Sequence, residues 1–158
     1  MSRKEININL RTATREDWSF IKDLAGEAFA VFGPYRRIVS DWLADHFVRT
    51  YLLEVEDKPA GFFMLGLMLP SFLLWNIELM AIAVVPSLRG RGLGRFMLTE
   101  AEKVARLRGY RLLRAHVGCQ NQPALRLFTQ AGFEIKKHLS KYYPSGLDAY
   151  ELIKKLNS

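Results

Sequence analysis

The chain has 158 residues, 49% apolar and 25% charged, a composition that suits one folded domain and excludes a disordered polymer. Lys and Arg outnumber Asp and Glu by 23 to 16, for a formal charge of +7; no nucleic-acid-binding module accompanies the surplus, so nucleic acid is a distant reading. Cys119 is the single cysteine, which excludes an intrachain disulfide, and His46, His116 and His138 lack metal-ligand spacing, so no metal is expected.

From the N-terminus, Ser2-Arg3-Lys4-Glu5 shows no apolar signal segment, and the chain is read as cytoplasmic. Residues 6–11 alternate apolar and polar, as a half-buried strand does. Thr14 is a helix N-cap ahead of Trp18, Ile21, Leu24, Ala25 and Ala28 at helical spacing. Phe32-Gly33-Pro34-Tyr35 breaks that helix, and a shorter one follows with Ile38, Val39, Trp42, Leu43, His46 and Phe47 on its inner side. Residues 51–55 and 60–69 read as strands joined by a tight turn at Glu56-Asp57-Lys58-Pro59. Pro70-Ser71 is a loop, and residues 73–85 form a long strand whose apolar run 79–85 suits a central position covered on both faces. Gly61, Gly66 and Pro70 interrupt the longest apolar stretch. It falls short of the roughly 18–20 residues that a membrane span needs, and no membrane is expected.

The next helix covers residues 93–108, with Phe96, Met97, Ala101, Val104 and Ala105 in one stripe, and Gly109 ends it. Residues 111–117 form a strand. Asn121 caps a helix that has Pro123 in its first turn, carries Ala124, Leu127, Phe128 and Ala131, and stops at Gly132. Strands at 133–139 and 147–155, joined through 141–146, complete the chain. The predicted order is β-α-α-β-β-β-α-β-α-β-β: a single α/β domain over 1–158, with a mixed sheet of six to seven strands flanked by about four helices.

Between the apolar run and the helix at Leu93 lies Arg89-Gly90-Arg91-Gly92-Leu93-Gly94. Glycines at 90, 92 and 94 let the backbone turn and bring N–H groups close to whatever lies above the loop. The helix start aims its unpaired donors at the same spot, and Arg89, Arg91 and Arg95 add positive charge. These features describe a phosphate or pyrophosphate cradle. Its glycine spacing is not the dinucleotide pattern G-x-G-x-x-G, and no Gly-Lys-Ser/Thr follows as in a P-loop.

On these residues the chain resembles the GNAT superfamily of acetyl-coenzyme A-dependent N-acetyltransferases. Arg89, Gly92 and Gly94 match its R/Q-x-x-G-x-G/A hallmark, preceded by Ile82-Ala83-Val84-x-Pro86. Asn121, Ala124, Gly132 and Phe133 match a second pattern, N-x-x-A-x-x-x-Y-x-x-x-G-F, with Phe128 where the tyrosine stands. The last third of the chain is similar to the RimI-like and N-terminal protein acetyltransferases. The resemblance implies a splayed central strand pair, with Ile82, Ala83 and Val84 beside the pantetheine arm. It places Arg89, Gly90, Arg91, Gly92, Leu93, Gly94 and Arg95 around the pyrophosphate, and Asn121 against the pantetheine. It further implies transfer of an acetyl group from acetyl-CoA to a primary amine, by direct attack in a ternary complex, in a monomer or homodimer. The acceptor is a protein or peptide amine or a small amine. The alternative is a non-catalytic acetyl-CoA sensor or interaction module on the same fold.

Such a transfer needs a neutral amine held near the carbonyl, hence a base, and a donor for the carbonyl oxygen, for which the Val84 N–H is the candidate. Two bases compete. Glu78 stands 11 positions before Arg89, where histone-type relatives carry their glutamate; His116 stands five before Asn121, where N-terminal acetyltransferases carry glutamate or histidine. We read Glu78 as the base with His116 assisting. Phe128 cannot donate a proton, so the thiolate leaves unassisted or takes a proton from water; Tyr142 and Tyr143 are kept as catalytic candidates that line the substrate mouth or else pack the hairpin. Phe32 and Tyr35 stand on the acceptor's path, and Cys119 reads as a packing residue.

Overall fold

Segments of period two and period 3.6 alternate along the sequence, and in a computed structural model describing residues 5–67 and 75–156 they become strands and helices in the predicted order. These are β1 (Ile8–Thr12), α1 (Trp18–Ala28), α2 (Tyr35–Leu43), β2 (Val48–Val55), β3 (Lys58–Gly66), β4 (Asn76–Val84), α3 (Leu93–Leu107), β5 (Leu112–Gly118), α4 (Gln122–Gln130), β6 (Glu134–Leu139) and β7 (Ala149–Lys155). The strands form one sheet in the order β1-β2-β3-β4-β5-β7-β6. Only the β4–β5 pair is parallel among the described residues. Among the described residues, no helix is long and apolar enough to cross a membrane.

Each face of the sheet carries a core. On one, α3 and α4 bury Met97, Leu98, Ala101 and Phe128 against Leu53, Phe63, Leu79, Leu113, Val117 and Leu152. On the other, α1 and α2 bury Ile21, Leu24, Ala25 and Val39 against Leu52, Phe62, Met64, Ala81 and Ala83. Successive β3 residues serve opposite cores because strand side chains alternate, which is why Phe62 and Phe63 are both wholly buried. Truncating either to Ala costs about 3–5 kcal/mol.

Several boundaries differ from the sequence expectation. The first strand begins at Ile8, and Ile6 is exposed. A 3-10 turn at Arg15–Asp17 precedes α1, so the helix proper starts at Trp18 and not directly after Thr14. The Asp17 carboxylate fixes this entry: it accepts the Thr14 N–H at 2.8 Å and both Arg11 Nη groups at 2.7 and 2.9 Å. β2 starts at Val48, earlier than predicted, because pairing with Leu65 and Gly66 of β3 extends it. α2 stops at Leu43, which leaves His46 and Phe47 beyond it and Phe47 exposed. The Pro70-Ser71 loop and the start of the predicted 73–85 strand lie outside the described residues; β4 as described begins at Asn76.

The centre of the sheet is split. β4 and β5 pair only from Asn76↔Leu112 to Leu79↔Ala115. Beyond that, β4 stays on β3 as far as Val84, and β5 stays on β7 as far as Gly118. The parting coincides with a bulge: Leu79 pairs Leu65 and Ala81 pairs Met64, so Met80 has no partner of its own. A bulge bends its strand and raises the local twist. It also resets the alternation, so Glu78 shares the α1/α2 face with Ala81 and Ala83, while Ile82 and Val84 join Leu79 on the α3/α4 face.

Candidate active site

The split leaves backbone groups of β4 facing an open gap. The Val85 N–H donates to the Ala60 carbonyl at 2.8 Å, and Ala83 and Ala81 follow as the residues bonded to β3. By the alternation of an antiparallel ladder, Ile82 and Val84 turn their N–H and C=O groups toward the gap. Arg89 closes the far end: its Nε donates to the Val84 carbonyl at 2.9 Å, and its Nη2 meets Glu27 of α1 at 3.2 Å. The Arg89 guanidinium therefore ties the end of β4 to α1.

Above that end sits the glycine loop. Gly90 and Gly92 adopt φ of 76° and 83°, a region costly for residues with a Cβ, and a Cβ at either would meet nothing within 4 Å. The loop's face is open. Gly92 is the N-cap of α3 and no side chain caps it. The first turn of α3 therefore leaves the N–H groups of Leu93, Gly94 and Arg95 without intrahelical partners. Leu93 buries its side chain in the core, whereas Arg91 and Arg95 are exposed beside the loop.

A cavity of about 150 Å³ passes through the split. On the α1/α2 side its wall is aromatic: Phe29, Phe32, Tyr35 and Trp42, with Tyr142 and Tyr143 from the segment before β7. Phe32 and Tyr143 lie 4.4 Å apart between centroids, and Tyr35 packs edge-on to both Trp42 and Tyr143. On the α3/α4 side, Asn121, Ala124 and Phe128 line it. The Asn121 Oδ1 caps α4 by accepting the Ala124 N–H at 3.3 Å, which leaves its amide NH2 group for the cavity. Phe128 is buried edge-on against Phe133 and has no proton to give.

Glu78 and His116 meet at the middle. Glu78 is 3% exposed. Its Oε1 lies 2.6 Å from His116 Nδ1 and 3.8 Å from Arg114 Nε, while its Oε2 is buried without a partner. The Tyr142 ring stacks on the imidazole at 4.6 Å and 18°. Burial, helped by the nearby Glu78 charge, pushes the Tyr142 phenol up to about 12, so it keeps its proton at any physiological pH. Burial also raises Tyr35 and Tyr143.

The sequence of the Acetyltransferase (GNAT) family model matches residues 13–133, well over half of the chain. The chain belongs to the GNAT acetyltransferase family. An uncharacterised N-acetyltransferase of Methanocaldococcus jannaschii is 28% identical over 142 residues, 81% of this chain and 61% of its own length. A mycothiol acetyltransferase of Jonesia denitrificans is 36% identical over 72 residues, 45% of this chain and 23% of its own length. The chain thus spans less than two thirds of either relative. Among solved structures, the ribosomal-protein-S18-alanine N-acetyltransferase of Escherichia coli superposes with a TM-score of 0.79 at 21% identity, covering 96% of each chain. At that identity the likeness is one of fold.

On this GNAT frame the residues singled out in the sequence fall into two groups. Glu78, Ile82, His116, Asn121, Phe32, Tyr35, Tyr142 and Tyr143 share the cavity. Arg89 to Arg95 form the loop at its end, where the Arg89 side chain is engaged by Val84 and Glu27. Cys119 lies elsewhere, in a neighbouring cleft with Gln120 and Leu147, its thiol pushed up by burial and then by the Asp148 charge. The sequence reading did not single out Phe29 and Trp42 as cavity wall, because their helical spacing is that of ordinary core residues. It also passed over Glu151, whose Oε2 lies 3.7 Å from His116 Nε2.

Proposed function

We propose that this chain is an N-acetyltransferase that moves an acetyl group from acetyl-CoA to a primary amine in a ternary complex, with residues 1–158 as one catalytic domain. The observation that carries the reading is the alignment of an uncapped, glycine-lined helix start with a gap whose floor holds a buried, unpartnered carboxylate oxygen, Glu78 Oε2. The open face at Gly90 and Gly92 fits a pyrophosphate, which a Cβ would crowd. Backbone N–H groups through Arg95 would hold it, with Arg91 and Arg95 adding charge. Ile82, Val84 and Asn121 would line the pantetheine, whereas Ala83 is turned to β3. Acetyl-CoA, when bound there, supplies the acetyl thioester.

The protein's part is to bring in an amine and take its proton. Glu78 lines the cavity with Oε2 as the oxygen left without a partner, and His116 Nδ1, 2.6 Å from Oε1, lets the imidazole share the proton. Tyr142 keeps its phenolic proton beside the pair and is the candidate hydrogen-bond donor to a leaving thiolate, being a weaker acid than the thiol that forms. Among the described residues, no Lys or Arg lines the cavity. A carboxylate on the acceptor would find no counter-charge, whereas an apolar stem finds the rings of Phe32, Tyr35 and Trp42. The acceptor is therefore a primary amine on an apolar stem, either a small amine or the first residue of a peptide.

An acceptor screen read by coenzyme A release tests this. Apolar monoamines and N-terminal peptides are expected to turn over, and free amino acids to lag far behind. Preference for free amino acids would overturn the acceptor class. Tight acetyl-CoA binding with no release by any amine would favour a sensor, the outcome to which Phe128 in place of a tyrosine lends support.

A further inference from the structure

The proton transfer just described leaves a third carboxylate at the same place without a task. Glu151 of β7 stands in register with His116 of β5, and its side chain is 12% exposed. Its Oε2 lies 3.7 Å from His116 Nε2, too long for a hydrogen bond but within ion-pair range. The ring is thus bracketed, with Nδ1 on Glu78 and Nε2 on Glu151. The other groups around it are Arg114, two residues back on β5 and 3.8 Å from Glu78; Tyr142, stacked on the ring; and Tyr35, close to Tyr142. Lys137 of β6, in register with Glu151 on its other side, is exposed. A histidine packed only for structure needs one such partner, and a nearly buried carboxylate needs a reason to be there.

We propose that Glu151 is a positioning residue that acts through His116; the proposal rests on the proton-transfer reading above. By favouring N–H at Nε2 it leaves one proton to be shared between Nδ1 and Glu78 Oε1 across their 2.6 Å contact. When the acceptor's N–H bond breaks, the amine nitrogen keeps the electron pair and the proton goes to Glu78 Oε2. As Oε2 takes it up, the shared proton moves from Oε1 fully onto Nδ1. Glu78 is left as a neutral acid protonated at Oε2, and an imidazolium stands between it and the Glu151 carboxylate. Glu151 stabilises that state and thereby strengthens Glu78 as a base.

The test is nuclear magnetic resonance of the His116 ring in the full chain, in the wild type and in Glu151→Gln and Glu151→Asp. The ring is assigned by its loss in His116→Gln. In Glu151→Gln the ring is expected to take up its proton at a pH lower by about 0.5–1 unit, with nitrogen shifts moving toward the Nδ1–H tautomer. In parallel, kcat should fall about 5–20-fold while the acceptor KM stays within about twofold, and Glu151→Asp should recover part of both signals. An unchanged protonation midpoint and unchanged tautomer shifts in Glu151→Gln would overturn the proposal. If the wild type releases no coenzyme A with any amine, the acetyl-transfer reading fails, and the ring titration still decides the role of Glu151.

Discussion

Glu78 and His116 come within 2.6 Å of each other across two parallel strands that stop pairing one residue beyond Glu78. The contact is made at the last point where β4 and β5 are still joined. The strands hold the two side chains there, and their parting opens the cavity that Glu78 lines.

Replacing Glu78 with Gln keeps the shape and removes the charge. We expect kcat to fall by about a hundredfold, with the dissociation constant of acetyl-CoA unchanged within about twofold. The Tyr142 phenol, held up partly by that charge, should ionise at a lower pH than about 12. Ultraviolet titration of the variant in a Tyr143→Phe background checks this, and retention of full turnover would remove Glu78 from the chemistry.

Gly92 and Gly109 share a left-handed backbone, with φ of 83° and 85°, and a Cβ at either meets nothing within 4 Å. Alanine at either should cost about 1–2 kcal/mol of stability. Only Gly92→Ala should weaken acetyl-CoA, by about tenfold or more, since Gly109 lies at the other end of α3. Calorimetric titration of both variants separates backbone strain from loss of the cradle.

A Cβ at Gly118 would stand 2.5 Å from Phe32 Cε1 and 2.8 Å from Cζ. The Phe32 ring would have to shift, disturbing its packing on Tyr143. Gly118→Ala should raise the acceptor KM several-fold at little cost to acetyl-CoA affinity, and lower stability by about 1–3 kcal/mol. Equal loss of affinity for both substrates would contradict the assignment of Phe32 to the acceptor side.

Tyr35, Tyr142 and Tyr143 are all raised above the ordinary value of 10.0 by burial. The unfolded chain therefore releases these protons first, and the folded chain holds more protons once the pH passes that value. Stability from these groups is complete below the ordinary value and is lost as the pH climbs toward the folded values. Urea midpoints measured from about pH 8 to about pH 11 should fall only in the upper part of that range, less steeply in Tyr142→Phe. A flat profile in the wild type would show that these phenols are not buried as described.

The sequence made the order of strands and helices legible because capping residues, left-handed glycines and periodicity are local signals. The glycine loop at the start of α3 was legible for the same reason: Gly90, Gly92 and the first turn of the helix adjoin in the chain. The Met80 bulge was not, since run 79–85 is apolar throughout and a strand covered on both faces displays no alternation from which to read a register. The end of α2 was misread because His46 and Phe47 continue the helical spacing past the residues that α1 and β2 cover. Trp42 and Phe29 look like core from their own helices; only the gap between β4 and β5 makes them a wall. Glu151 needs the β5–β7 register before it has a partner at all.

The unpaired residue at Met80 has a mechanical consequence. Excising it would restore a straight strand with every side chain still on its present face, and nothing would then hold Ala81 to Val84 away from His116 to Gly118. Two adjacent strands with free donors and acceptors tend to zip together, because unsatisfied backbone groups in the middle of a sheet are costly. One extra residue therefore works as a wedge written into the chain, and a guest need not prise the sheet apart to enter.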